Sequence, residues 1–315
     1  MSGGMGVQPP HQSVLYNEIL IALKPVSPNC YLDGTLGAGG HAYGILEFCR
    51  PSGRLLGLDV DPQALEFARE RLAPFGERAI LKKGSYHQAA AFLAELGWEG
   101  LDGIVLDLGV SSMQIDQPER GFSFQKAGRL DMRFDQSTGK SAADLVNTSD
   151  EKVLADIIYR YGEERYARRI AAAIVKARPI YQTEELAEVI RKAIGWSEQK
   201  IDPATRTFQA LRIAVNEELT RLEGALPDLI ALLNPGGILA VIAFHSLEDK
   251  IVKSIFRRES RDCICPPEQP LCTCQHRAAV KVLTNKPIRP GEAEVEANPR
   301  ARSARLRLAQ KLQLA

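Results

Sequence analysis

The chain has 315 residues, of which 45% are hydrophobic and 25% charged, a composition that excludes collagenous and low-complexity proteins and is typical of a globular one. The length exceeds that of one ordinary domain, so we expect a domain with a large insertion or two compact units. Forty basic against thirty-nine acidic side chains give a formal net charge of +1, so a polyanion would have to be bound by local basic patches.

Targeting and membrane patterns are not recognised in the sequence. The first ten residues lack the basic and then apolar pattern of a signal peptide, and no apolar run reaches the length of a membrane helix. We therefore expect a cytoplasmic protein with no membrane partner.

The first hundred residues alternate short apolar runs with helical patterns, which predicts βαβ units and a parallel sheet. The first predicted strand ends with Tyr31–Asp33, and the next three are Arg54–Leu58, Ala79–Leu81 and Gly103–Leu106. The predicted helices are His41–Cys49, Pro62–Leu72 and Gln88–Leu96.

The alternation stops after Asp107. Residues 108–140 are rich in Gly, Ser, Asp and Gln and predict a long loop, which in a compact domain is usually functional. Residues 141–207 show helical patterns only, most clearly at Ala167–Ala177 and Glu184–Ile194. The remaining predictions are a helix at Asn216–Leu233, a turn at Asn234–Gly237, a strand at Ile238–Phe244 and a helix at Leu247–Arg258.

These patterns predict an α/β fold with a doubly wound, Rossmann-like sheet and an inserted all-helical domain. We place the discontinuous sheet domain at residues 1–115 and 209–315, and the helical insertion at residues 116–208.

A glycine-rich segment from Asp33 to His41 lies at the first junction between strand and helix, where doubly wound folds bind their ligands. Gly37, Gly39 and Ala42 fit the dinucleotide pattern G-x-G-x-x-G/A, and Asp59 stands where a ribose-binding acid is expected. The spacing alone leaves a nicotinamide dinucleotide, S-adenosylmethionine and a purely structural turn open.

The charge of this region favours a cationic ligand. Asp33, Asp59 and Asp107 end three predicted strands at the same edge of the sheet, where they would repel a pyrophosphate and attract a sulfonium and an ammonium group. Each aspartate could alternatively cap a helix or a turn. Tyr86, which follows the third strand, could lie beside an adenine or belong to the core.

The sequence does not decide the role of two further groups of residues, three basic segments and a cysteine cluster. Three segments have an excess of positive charge, residues 160–178, 250–261 and 299–315, and the last of them is the strongest candidate for phosphate contact. The second group could bind zinc, with His276 close by, or could form a rigid metal-free loop; it consists of Cys263, Cys265, Cys272 and Cys274.

Over nearly its whole length the sequence resembles the 16S ribosomal RNA cytosine-N4 methyltransferases of the RsmH/MraW type. The matching segments are His11–Leu15, Asp33–His41, Leu106–Ser112, Arg120–Phe124, Leu130–Arg133, Tyr161–Arg165, Pro203–Arg212, Phe244–Asp249 and Asn298–Ser303. The resemblance implies S-adenosylmethionine as methyl donor and a decoding-centre cytosine of the small-subunit RNA as acceptor.

The resemblance also implies the donor contacts, to which the charge argument adds Asp33. The residues implied are Gly39, Gly40, His41, Asp59, Tyr86, Asp107 and Gln114, and Tyr86 stands where the family is expected to carry Phe. We expect 16S rRNA, within the small ribosomal subunit, as partner, and the oligomeric state stays open.

A cytosine amine is a poor nucleophile because its lone pair is delocalised into the ring. We therefore expect Asp107 to act at the junction of donor and acceptor, with Ser111, Ser112 or a backbone carbonyl accepting from the amine. His245 is a second catalytic candidate, or else a cap of the following helix. Phe122 and Phe124 could stack on the target base or anchor their loop.

Two other functions remain open at this point. A nicotinamide-dependent oxidoreductase would explain the glycine loop, though not Asp33. A ribosome-assembly factor that binds RNA without catalysis would explain the basic segments.

Overall fold

The computed structural model describes residues 13–195, 202–269 and 271–313. Its contacts divide the chain into two compact units: Met1–Gly109 with Leu222–Ala315, and Val110–Arg221. The predicted boundaries at 115/116 and 208/209 differ from these because helix α10 (Ala204–Asn216) packs on helix α7 (Glu151–Gly162) and so belongs with the helices.

The first unit contains a sheet that has seven strands within the described residues, in the order β3-β2-β1-β4-β5-β7-β6. Strands β1 to β5 run parallel to one another, whereas β7 runs antiparallel to both β5 and β6. The strands are β1 (Cys30–Asp33), β2 (Arg54–Asp59), β3 (Ala79–Lys83), β4 (Leu101–Asp107), β5 (Leu233–Ala243), β6 (Val280–Val282) and β7 (Arg305–Lys311). This doubly wound α/β sheet confirms the predicted fold class.

Helices cover both faces of this sheet. They are α1 (Tyr16–Leu23), α2 (Gly40–Phe48), α3 (Pro62–Leu72), α4 (Ala89–Leu96), α11 (Glu218–Ala231), α12 (Ser246–Glu259) and α13 (Glu292–Ala297), with α11 crossing the boundary between the units. Alternate residues of each strand point to opposite faces. Thus Leu32 and Leu56 pack in one core with α4, α11 and α12, while Tyr31 and Leu55 pack in the other with α1, α2 and α3.

The second unit is helical. Its helices are α5 (Ser112–Asp116), α6 (Ala142–Thr148), α7, α8 (Ala167–Ala177), α9 (Thr183–Ile194) and α10. Leucine, isoleucine and alanine recur at helical spacing and form a core of their own, which includes Leu154, Ile158, Ile170 and Leu211.

Several predicted elements need correction. The predicted turn at Asn234–Gly237 lies inside β5, where it bulges between the pairs Leu233 with Leu101 and Ile238 with Gly103. The predicted loop at 108–140 contains α5, and the predicted helix at Asn216–Leu233 begins at Glu218 because Glu217 adopts a positive φ of 53°. Strands β6 and β7 were not predicted from the sequence. Within the described residues, no helix is long and apolar enough to cross a membrane.

Candidate functional site

The glycine-rich segment forms a tight loop at the carboxyl end of β1. The Gly34 N–H donates to the Val105 carbonyl (2.9 Å), and a Cβ at Gly34 would lie 2.6 Å from Leu106 Cδ2. Gly39 has a φ of +75° and stands directly before α2, which begins without a side-chain cap. Glycine is needed at both positions, because Gly34 lies too close to Leu106 for a side chain and Gly39 has a left-handed backbone.

Asp59, at the end of β2, is bonded to this loop. Its carboxylate accepts the backbone N–H groups of Gly37 (2.8 Å) and Asp61 (2.9 Å). Burial raises the pKa of Asp59 to about 6, although both hydrogen bonds act in the opposite direction. The carboxylate therefore holds the loop in place, and its remaining lone pairs are available to a ligand.

Asp33, at the end of β1, is almost fully enclosed, with 1% of its surface exposed. Burial raises its pKa to about 7; the neighbouring His41 and the hydrogen bond from the Thr35 N–H lower it, while Asp107 and Asp59 raise it. Two neighbouring carboxylates thus add to the effect of burial on Asp33, and a cation at this edge would favour its ionised form.

His41 and Asp107 lie close together and have polar atoms that lack hydrogen-bond partners among the described residues. His41 Nε2 lies 3.6 Å from Asp107 Oδ2, and the Asp107 backbone N–H donates to Thr35 Oγ1 at 2.6 Å. Both ring nitrogens of His41 and Asp107 Oδ1 are buried and have no hydrogen-bond partner among the described residues. Buried polar atoms are normally bonded, so this edge of the sheet is suited to a polar ligand.

Comparison with known proteins identifies the family. The model of the MraW methylase family matches residues 8–312. The chain belongs to this family. It is similar to the ribosomal RNA small subunit methyltransferase H of Geobacter sp. strain M21, with 54% identity over 96% of this chain and 98% of that protein. The protein of the same name from Geobacter sulfurreducens is 53% identical over 96% of this chain and 99% of its own length.

The chain is also similar to a solved structure, an rRNA methylase from Streptococcus thermophilus, with 10% identity and a TM-score of 0.44 over 97% of this chain and 100% of that chain. Membership of a methylase family confirms the predicted methyl donor, S-adenosylmethionine, and decides against the nicotinamide dinucleotide. The unpartnered atoms of His41 and Asp107 and the glycine loop fit such a donor.

The other predicted donor contacts of this methylase have structural roles of their own. Gly40 begins α2, where a Cβ would lie 1.9 Å from Ser13 Oγ. Tyr86 is partly buried and packs against the core beside Gly34. In the helical unit, Gln114 is buried and closes a capping box, because its side-chain oxygen accepts the N–H of Ser111 (3.0 Å) and its own N–H donates to Ser111 Oγ (3.2 Å).

His245 follows β5 and caps α12. Its Nδ1 accepts the N–H of Glu248 at 3.4 Å, and its Nε2 lies 3.3 Å from Glu248 Oε1. Since β5 lies beside β4, His245 leaves the sheet next to Asp107. The geometry supports the interpretation as a helix cap, which the sequence analysis had left open beside the catalytic one.

Phe244 is a residue that the sequence analysis missed. A Cβ at Gly109, two residues after Asp107, would lie 3.7 Å from Phe244 Cδ2, so the ring lies beside the loop that leaves β4. It is only partly buried. Its position at the end of the neighbouring parallel strand is the signal that could have identified it.

Phe122 and Phe124 contact the core of the helical unit. Phe122 stacks on Phe134 with ring centres 5.6 Å apart, and Phe124 meets the edge of Phe208 at 4.8 Å. Both rings therefore anchor their loop, which was one of the two interpretations left open.

Three of the five cations in the C-terminal basic segment have partners inside the protein, which argues against the segment as the strongest phosphate contact. Arg305 and Arg307 both pair with Asp249, at 3.3 and 2.5 Å, and Lys311 donates to the Ile230 carbonyl. Asp249 is largely buried, which alone would raise its pKa, but the Arg307 hydrogen bond and the two guanidinium charges hold it below its usual value.

Proposed function

We propose that this methylase transfers a methyl group from S-adenosylmethionine to the exocyclic N4 amine of a decoding-centre cytosine in small-subunit ribosomal RNA. The observation that carries the proposal is that three carboxylates, of Asp33, Asp59 and Asp107, lie at one edge of the sheet. At the same edge, buried polar atoms of His41 and Asp107 have no hydrogen-bond partner among the described residues. The names of the relatives support ribosomal RNA as the substrate.

The proposed donor site lies at the carboxyl-end edge of the sheet. In the sheet unit, Asp33 and Asp107 balance the positive charges of the donor, Asp59 accepts from the ribose hydroxyls, and the ring of Tyr86 covers the adenine. Gly39 and Gly40 let the backbone approach closely, and the His41 ring lies beside the Asp107 carboxylate, with Nε2 3.6 Å from Oδ2. Gln114 is retained as a proposed donor contact because the family resemblance implies it. When bound, S-adenosylmethionine supplies an electrophilic methyl group on a sulfonium.

Asp107 is the proposed catalytic residue. Transfer would form the bond from the amine nitrogen to the methyl carbon as the carbon–sulfur bond of the sulfonium breaks, with the electron pair left on sulfur as a thioether. The amine would lose one proton to Asp107 or to solvent, and a hydrogen-bond acceptor directed at the amine helps its lone pair to localise. Asp107 Oδ1 is buried without a described partner and can provide this acceptor. Ser111 is less suited than we expected from the sequence, because its hydroxyl already accepts from Gln114.

Phe244 and His245 complete the proposed acceptor site. The Phe244 ring beside Gly109 offers a face for the target base, which must leave its stack to reach a strand-end site. We propose that the ring of His245 contacts the target base or its phosphate, and that its catalytic role consists of this contact. Its capping bond to Glu248 fixes the ring for that contact.

RNA recognition is proposed for the helical unit and for α12. On α8 and just before it, Arg165, Arg168, Arg169 and Lys176 are exposed. On α12 the exposed cations are Lys250, Lys253 and Arg257. Such cations contact phosphates and make affinity fall steeply with salt, which is how a chain of near-zero net charge can bind RNA.

The test is methyl transfer from labelled donor to assembled small subunits, followed by mass-spectrometric mapping of the modified nucleotide. Asp107→Ala should abolish transfer, while Asp102→Asn, at the opposite end of β4, should leave it unchanged. Near-wild-type transfer by Asp107→Ala, or a methyl group on any atom other than cytosine N4, would refute the proposal. Binding of subunits without any transfer by the wild-type protein would instead indicate a non-catalytic assembly factor.

A further inference from the structure

The loop between α12 and β6 contains four cysteines that the proposed function does not use. All four are free, and their sulfur atoms lie within 4.8 Å of one another. We propose that one structural zinc ion is bound by the thiolates of Cys263, Cys265, Cys272 and Cys274.

Two of the sulfur separations are close to the value that a tetrahedral zinc site requires, and all of them lie within 4.8 Å. With Zn–S bonds of about 2.3 Å, tetrahedral geometry sets neighbouring sulfurs about 3.8 Å apart. Cys272 Sγ lies 3.6 Å from Cys274 Sγ, which in turn lies 3.9 Å from Cys263 Sγ. A disulfide would need about 2.05 Å. The separations thus fit a shared metal ion and are too long for a covalent bond.

The backbone around the cluster supports the sulfur atoms. The Ile264 N–H points at Cys274 Sγ (3.4 Å), a contact that stabilises a thiolate. Gln275 has a φ of 53°, which turns the chain away directly after the last cysteine. His276 is bonded elsewhere, since its Nε2 lies 3.2 Å from the Arg258 carbonyl. The ligand set is therefore four sulfurs, which is typical of a closed structural site and leaves no position for a reacting water.

The loop has little else to fold around. None of its described residues between 263 and 274 is buried, and Ile264 and Leu271 are 44% and 76% exposed. Two hydrogen bonds close its base, from the Ala279 N–H to the Glu259 carbonyl (2.7 Å) and from the Ala278 N–H to Asp262 (3.2 Å). Inside the loop, Gln269 donates to the Pro266 carbonyl (3.0 Å) and to Thr273 Oγ1 (2.8 Å). Metal binding would supply the missing stability, with each cysteine that is still protonated losing its proton to solvent as it coordinates.

The test is the metal content of the full chain, purified without an affinity tag, chelator or added metal. Plasma mass spectrometry should find about one zinc per chain, and Cys272→Ser should lower this at least roughly fivefold. Cys30→Ser is the matched control, because Cys30 lies at the start of β1 and should leave the zinc content unchanged. Replacement by Co²⁺ should give the visible absorption of a tetrahedral thiolate site.

A second measurement separates a loop function of the metal from a loss of overall folding. Chelation should expose the four clustered thiols to alkylation and the loop to proteolysis, while the circular dichroism of the chain stays the same. Iron in place of zinc, metal-free protein with four reactive thiols, or disulfides in anaerobically purified protein would each overturn the proposal. None of these readouts depends on methyl transfer, so the proposal can fail independently of the proposed function.

Discussion

The buried carboxyl group of Asp33 predicts that donor affinity depends on pH. Burial raises its pKa to about 7, so in the free protein much of this group is protonated near neutrality. A donor with a sulfonium and an ammonium group binds the ionised form better, and binding must therefore release a proton. Affinity should rise with pH until Asp33 is fully ionised.

The size of the effect follows from the ionised fraction. With a pKa of about 7, the carboxyl is about 10% ionised at pH 6 and about 90% ionised at pH 8, so affinity should rise about tenfold from this group alone. Asp59, with a pKa of about 6, should add roughly a factor of two over the same range.

The assay is isothermal titration calorimetry with S-adenosylmethionine at several pH values in buffers of different ionisation enthalpy, which also counts the protons released. Asp33→Asn should weaken binding at pH 8 and remove about a tenfold part of the rise between pH 6 and 8. Comparing variants with one ligand cancels the ligand's own titration. Asp102→Asn is the control and should keep the wild-type slope. A wild-type affinity that is flat with pH, or an Asp33→Asn slope equal to that of the wild type, would refute the reasoning.

Three stability predictions follow from the same structure. The raised pKa of Asp33 means that stability present below about pH 4 is lost as the pH rises through about 7. Asp33→Asn should therefore raise the unfolding free energy of the ligand-free protein, by about 4 kcal/mol more at pH 8 than at pH 4. An effect of the same size at both pH values in denaturant titrations would contradict this. Gly121→Ala should lower the unfolding free energy by about 2 kcal/mol or more, because φ is +76° and the new Cβ would lie 2.4 Å from the Arg129 carbonyl oxygen. Gly139→Ala is the control, because Gly139 has a similar φ of +72° but open space around it. An equal loss of stability in the two variants would show that the clash at Gly121 contributes nothing. Arg307→Met should cost about 2 kcal/mol in denaturant titrations, because it removes two charge-assisted hydrogen bonds to Asp249 while Arg305 stays as a partner. It should not cause the loss of RNA affinity that a phosphate contact would require.

The sequence predicted the parts of the fold that depend on local patterns. The strands before Asp107 and the glycine loop were predicted because apolar runs, turn residues and strand-end acids are neighbours in the chain. The position of Asp33, Asp59 and Asp107 at one edge follows from parallel pairing, which brings the carboxyl ends of neighbouring strands together.

The sequence could not predict contacts between distant residues. Strand β7 alternates charged and apolar residues, yet its arginines suggested RNA contact because their partner, Asp249, lies more than fifty residues earlier. Phe244 was missed for a similar reason, since only the pairing of β5 with β4 brings it beside Gly109. In both cases the identity of the neighbour decides the role of the residue, and that neighbour is set by the sheet order.

The sheet edge that carries Asp33, His41 and Asp107 lowers the stability of the ligand-free protein. Asp33 is buried beside two further acids, an arrangement that raises its pKa and costs free energy whenever the group is ionised in the absence of a cation. His41 and Asp107 add buried polar atoms without described partners. Well-packed apolar residues would be more stable here. A cationic ligand relieves the repulsion and satisfies these atoms, so the destabilisation of the ligand-free protein and the affinity for the donor have one physical origin. A variant that stabilises this edge should therefore weaken donor binding.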